Sequence, residues 1–175
     1  ATVSVVLGFV YALVNALGVV PQNPLFDTAS WSAELTWASW AKVNSGQNLF
    51  FAEGYAPCKG KDIGDGCTTK NYAGLSVGFS PTWFHVFPGV DLLAPITYSR
   101  GLHGNAPTVF GGNQDNGNYS VGIAADIQAK YRVDLKYIDY FGTYKDNGVA
   151  VTAQNGFTTL LEDRGFVSLT FKTTF

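Results

Sequence analysis

Two histidines, His85 and His103, are the only imidazoles in the chain, and Cys58 and Cys67 are its only thiols. Nucleophilic catalysis needs a base within reach of a Ser or a Cys. His103 stands near Ser99 and Arg100 in a Gly-rich stretch, which makes Ser99 and His103 the pair to consider. His85 instead follows Trp83 and Phe84 at the end of an apolar run. No nucleophile elbow turning from a strand into a helix is read. The residues therefore point away from an enzyme, and an outer-membrane lipid esterase is kept only as an alternative. Cys58 and Cys67 lie close together in a stretch rich in Gly, Lys and Asp, which implies a local disulfide and an oxidising compartment. A zinc site would need a second Cys pair or a nearby His. Asp62, Asp65 and Asp115 could offer oxygen ligands to calcium, but their spacing completes no binding loop, so they are read as loop charges. No metal or cofactor is expected.

A second set of polar residues lies inside apolar stretches: Glu34, Asp126, Lys130, Asp134, Lys136 and Lys172. A tight turn read at 131–133 would set Lys130 opposite Asp134 across a hairpin, a pair that fixes register. What positions such residues is legible in the composition. Charged residues make up only 14% of the 175 positions, while aromatics reach 15% and apolar residues 46%. Ordinary soluble domains carry roughly 25% charge. The deficit points to a surface that faces lipid. A net charge of −2 and the lack of a basic stripe exclude nucleic acid as a partner.

Period-two alternation recurs along the chain. Trp31, Ala33, Leu35 and Trp37 alternate with Ser30, Ser32, Glu34 and Thr36. Ala73, Leu75, Val77 and Phe79 alternate with Gly and Ser, and Val121, Ile123, Ala125 and Ile127 with polar or small residues. Val167, Leu169, Phe171 and Phe175 close the chain in the same way. Segments 92–98 and 133–141 follow less cleanly. The uncharged start, 1–20, is rich in β-branched residues and carries Gly8, so it reads as a strand and not as a membrane helix or a signal peptide. Short links near 21–24, 87–89 and 131–133 alternate with long loops at about 43–70, 100–118 and 145–163. That rhythm predicts an all-β fold, an antiparallel transmembrane β-barrel with short periplasmic turns and long outer loops.

In such a wall the six polar residues face the lumen, because a Lys or Arg toward mid-membrane lipid costs about 2–4 kcal/mol. Trp37, Tyr98 and Tyr119 would form the outer aromatic belt, and Trp83, Tyr131 and Phe175 the periplasmic one. The terminal aromatic Phe175, with Phe171 and Leu169 on the same face, resembles the sorting signal read by the barrel-assembly machinery. About seven strands are counted. A closed bacterial barrel needs an even number, at least eight, so the chain is expected to be a single segment, 1–175, forming the C-terminal arc of a longer barrel.

The stretches 19–37, 79–91, 98–101, 129–137 and 163–175 resemble a proteobacterial outer-membrane family, the domain-of-unknown-function family numbered thirteen hundred and two. The resemblance covers the last third or so of a typical member. It implies association with periplasmic lipid-carrier-like proteins and inner-membrane exporters of the resistance-nodulation-division type, and therefore passage of hydrophobic or lipid-like compounds. The family supplies no catalytic residue to carry over. The alternatives are a general diffusion porin and a soluble β-sandwich binding module.

Overall fold

Strict alternation of large apolar with small polar residues suits a strand whose two faces meet different surroundings. The computed structural model bears this out as an all-β chain; it describes residues 6–108, 111–146, 148–149, 151–153 and 159–174. The strands are β1 (Val6–Val20), β2 (Thr28–Ser45), β3 (Asn71–Phe87), β4 (Val90–Leu93), β5 (Ile96–His103), β6 (Gly117–Ile127), β7 (Tyr131–Phe141), β8 (Tyr144–Asp146), β9 (Val151–Ala153) and β10 (Phe166–Thr173). Eight of them form one sheet in which every pairing is antiparallel, and β8 and β9 make a separate hairpin.

The sheet is a meander. β4 and β5 share β3 on one side and β6 on the other, so they are two halves of one interrupted strand. The interruption falls at Ala94 and Pro95. Proline cannot donate to a ladder, and the break is bridged by Ala94 N–H to the Pro81 carbonyl and Gly122 N–H to the Pro95 carbonyl, both 3.0 Å. Seven crossings result, matching the sequence count. Among the described residues, the strands at the two sides of the sheet, β1 and β10, are not paired with each other.

Register sorts the side chains. Trp31, Ala33, Leu35 and Trp37 of β2 stand opposite Phe79, Val77, Leu75 and Ala73 of β3. The same face continues through Ile96 and Tyr98, Val121 and Tyr119, Leu135 and Tyr137, and Leu169 and Val167. No described layer covers this apolar face: Leu35 is 49% exposed and Leu169 72%. The buried cluster lies elsewhere, at the long-loop end of β2 and in the loop that follows, where Val43, Phe50 and Ala52 pack beneath Trp40 and Tyr55. Phe50 and Tyr55 each meet the Trp40 ring edge-on at 5.6 Å, and Lys70 Nζ sits 4.1 Å from its centroid.

The connections fall as short, long, short, long, short, long, and all three long ones leave the same end of the sheet. One expected boundary moves. The third short turn is at 128–130, because Ile127 pairs with Tyr131 and Asp126 with Arg132. Gln128 and Ala129 take the turn with φ of 53° and 52°. Asp134 therefore stands opposite Ala124 and not Lys130, and Lys130 lies in the turn with Nζ 5.4 Å from the Tyr131 ring.

Candidate functional site

The opposite face of the sheet is mostly polar from β2 to β10, and it gathers the wall charges into two groups. The first lies toward the short-turn end. Arg132, which sequence reasoning passed over, donates to Asp134 at 3.0 Å and to Asp126 at 3.0 Å. Lys172 Nζ approaches Asp134 at 4.0 Å, and Lys136 stands opposite Gly122 and Ser168 on the same face. The signal that could have found Arg132 was its parity with Asp134 and Lys136, hidden by the misplaced turn. Asp126, Arg132 and Lys172 rim a recess of about 610 Å³ that also takes in His85 and Asp91. His85 contributes a backbone N–H to the Asp91 carboxylate at 2.8 Å.

The second group lies toward the long-loop end and contains Glu34. Glu34 pairs in register with Asn15 on one side and Ser76 on the other, and Ser76 with Ser99. Thr36, Tyr72 and Asn118 complete a hydroxyl- and amide-rich recess of about 250 Å³. Its lid is the loop between β5 and β6, folded back on the polar face. Asp115 N–H donates to the Gly101 carbonyl at 2.8 Å, and Gly101 N–H to the Asn116 carbonyl at 2.9 Å. Only glycine fits at 101, because a Cβ there would lie 1.8 Å from the Asn113 carbonyl oxygen. Asn113, 1% exposed, has neither amide atom hydrogen-bonded within the protein. A buried amide normally finds partners, and this one has none among the described residues.

The stretch Gly74-Leu75-Ser76-Val77-Gly78 carries the spacing of a nucleophile elbow, which sequence reasoning overlooked. It runs straight through β3 with no turn, and no histidine lines the recess. Ser99 and His103, the other candidate pair, are four residues apart on one strand, about 13 Å at the usual rise. No hydrogen bond joins them among the described residues.

The long loops hold one another. The sulfurs of Cys58 and Cys67 are joined, with Cα atoms 6.0 Å apart. Asp62 and Asp65, considered above as calcium ligands, are instead bound by Lys145 of β8 at 2.8 and 3.0 Å. Asp65 also accepts the Asp62 N–H. That backbone hydrogen bond, then the ammonium, holds the Asp65 carboxyl below its usual pKa, while Asp62 and then Asp65 raise that of Lys145. Asp115 is paired with Arg100. Asn105 ties the loops across, its amide donating to the carbonyls of Ile63 and Cys67, both at 3.0 Å.

On the apolar face Trp37, Tyr98 and Tyr119 lie nearer the loop end, and Trp83 and Tyr131 at the turn end. Tyr131 stacks on Phe171 at 6.0 Å, and Trp83 Nε1 donates to the Leu25 carbonyl at 2.7 Å. Asp139, which parity placed on the apolar face, accepts the hydroxyls of Tyr119 and Tyr137, each at 3.0 Å. Leu169 joins Phe171 on that face, while Phe175 lies outside the described residues.

Residues 2–175 match the family described as "Protein of unknown function (DUF1302)", and the chain belongs to that family. No curated protein and no solved structure matches it.

Proposed function

We propose that this DUF1302 chain is an arc of a β-barrel in a bacterial outer membrane, and that the barrel passes hydrophobic or lipid-like compounds across that membrane. One observation carries the membrane reading. Large side chains along the apolar face of the sheet, from Trp31 and Leu35 to Leu169 and Phe171, are exposed, while the cluster of large buried side chains among the described residues lies at the long-loop end. A soluble sandwich would press that face against a second layer. Acyl chains meet it without one, and aromatic rings near both ends of the strands suit the two interfaces. Strands of 18 residues in β2 and 17 in β3 exceed the 9–11 or so that a tilted crossing needs.

Unpaired strand edges are not tolerated in lipid. β1 and β10 therefore pair with further strands in the working barrel. The periplasmic end is the one with short turns, which puts the disulfide loop outside. The barrel-assembly machinery would insert the protein, and a periplasmic lipid carrier and an inner-membrane exporter are the partners the cargo requires.

The cargo reading is supported by the polar face. Its charges are mostly paired with one another, and a folded-in loop obstructs it, which disfavours an open diffusion pore. Reconstitution in planar bilayers tests this. The expected result is no steady conductance, together with protein-dependent transfer of a fluorescent hydrophobic probe between vesicle compartments. A stable ohmic pore would instead identify a porin.

A further inference from the structure

We infer that the Glu34 recess and the β1 residues beside it form a binding site for a cationic amphiphile, a molecule with an ammonium head and a short alkyl tail. This rests on the proposed passage of lipid-like compounds and names the chemical class of the cargo.

Charge complementarity comes first. The wall carboxylates Asp126 and Asp134 share Arg132. Glu34 has no cationic partner and no hydrogen bond among the described residues. Arg100, the one cation bordering the recess, belongs by register to the other face and is bound to Asp115. A half-buried carboxylate among the hydroxyls of Thr36, Ser76 and Ser99 offers acceptors to a group with three N–H donors. The recess, about 250 Å³, holds on the order of eight waters at roughly 30 Å³ each, far more than a bare metal ion needs.

The tail is addressed by β1. Asn15 stands directly opposite Glu34, Leu13 opposite Thr36 and Leu17 opposite Ser32. Leu13 and Leu17 are thus diagonal neighbours of Glu34, at roughly 7–8 Å between strands. Leu17 is 82% exposed and Val19 72%, on the face that carries Ser30, Ser32, Glu34, Ser76 and Ser99 in β2, β3 and β5. The other face of β1 carries Val10, Val14 and Val20, so this strand is apolar on both sides. A wall strand needs grease only toward lipid. The extra apolar row, running from this unpaired wall carboxylate toward the short-turn end, fits an alkyl chain whose head is held by Glu34.

The test uses the full chain in a nonionic detergent, titrated calorimetrically with n-hexylammonium, methylammonium and hexanoate. Saturable binding of hexylammonium is expected, with hexanoate not competing. Glu34→Gln should weaken binding at least tenfold, and Glu34→Asp should keep part of it. Leu17→Asn should weaken hexylammonium several-fold and leave methylammonium unchanged. Equal binding of hexanoate, unchanged titration of Glu34→Gln, or no saturable binding by the wild type would overturn the site. Heat-dependent gel mobility checks that each variant is folded, and the hexanoate competition decides on the wild type alone. Flotation of the same preparations with vesicles separates the two readings. Protein that floats without binding removes the site; protein that binds without floating removes the membrane reading and keeps the site.

Discussion

At the residue scale the polar face is organised by Arg132, whose guanidinium spans Asp126 and Asp134 from adjacent strands. The group is about one-third exposed, so solvent screening keeps its worth small. Arg132→Ala is expected to destabilise by about 1 kcal/mol, read by urea unfolding in detergent, with Asp126→Asn in the same background giving back part of the loss. Gly101 is less forgiving. Gly101→Ala should lift the loop between β5 and β6 off the polar face, seen as faster hydrogen exchange at the amides of Gln114 and Asp115, with strand amides unchanged. The recess itself was hardly legible in the sequence. Glu34 and Ser99 were singled out for separate reasons, and Thr36, Tyr72 and Ser76 meet them only through register. Arg132 was missed for a local reason: Gln128 and Ala129 turn with positive φ although neither type advertises it, so the turn was read three residues late.

At the element scale β2, β3, β6 and β10 were readable because each separates an apolar row from a polar one. β1 was readable as a strand but not as to its faces, since both are apolar. The halves β4 and β5 blurred because Pro95 breaks the alternation where they join. The proposed lipid contact makes an element-level prediction. Leu135→Lys, on the apolar face, should cost about 2–4 kcal/mol in membrane stability, whereas Thr170→Lys, on the polar face, should cost little. Folding yields into vesicles across a denaturant series compare the two. The loop hairpin β8–β9 gives a pH prediction. The lowered pKa of Asp65 means its contact with Lys145 contributes fully above the usual carboxylate range and is lost as pH falls through the lower folded value. The raised pKa of Lys145 means the contribution is complete below the usual lysine range and is lost as pH rises through the higher folded value. Limited proteolysis of that loop should therefore be slowest between about pH 5 and 10 and accelerate at both extremes.

At the scale of the whole molecule, the loop end holds the disulfide and the cluster of buried large side chains, and the sheet extends from it. Joining Cys58 to Cys67 closes a loop of nine-residue separation, for which chain entropy alone gives about 3 kcal/mol. Reduction should loosen the cluster around Phe50 and Trp40, quenching less of the Trp emission, while the sheet's circular dichroism stays constant. The all-β class and the rhythm of short and long connections were visible from composition and alternation, because most strands keep large apolar residues in one row and leave polar ones to the other row and the loops. The proposed closure was not, because nothing within β1 or β10 marks what would pair with it.

The decisive measurement is the surroundings of the apolar face. Spin labels placed singly at Leu35, Leu135 and Leu169, and in turn at Thr36, Lys136 and Ser168, would be read in bilayers for collision with oxygen and with a water-soluble nickel chelate. The account predicts oxygen-dominated collision for the first three and nickel-dominated collision for the second three. Nickel reaching both sets alike, or neither, would mean that water or protein and not acyl chains covers that face.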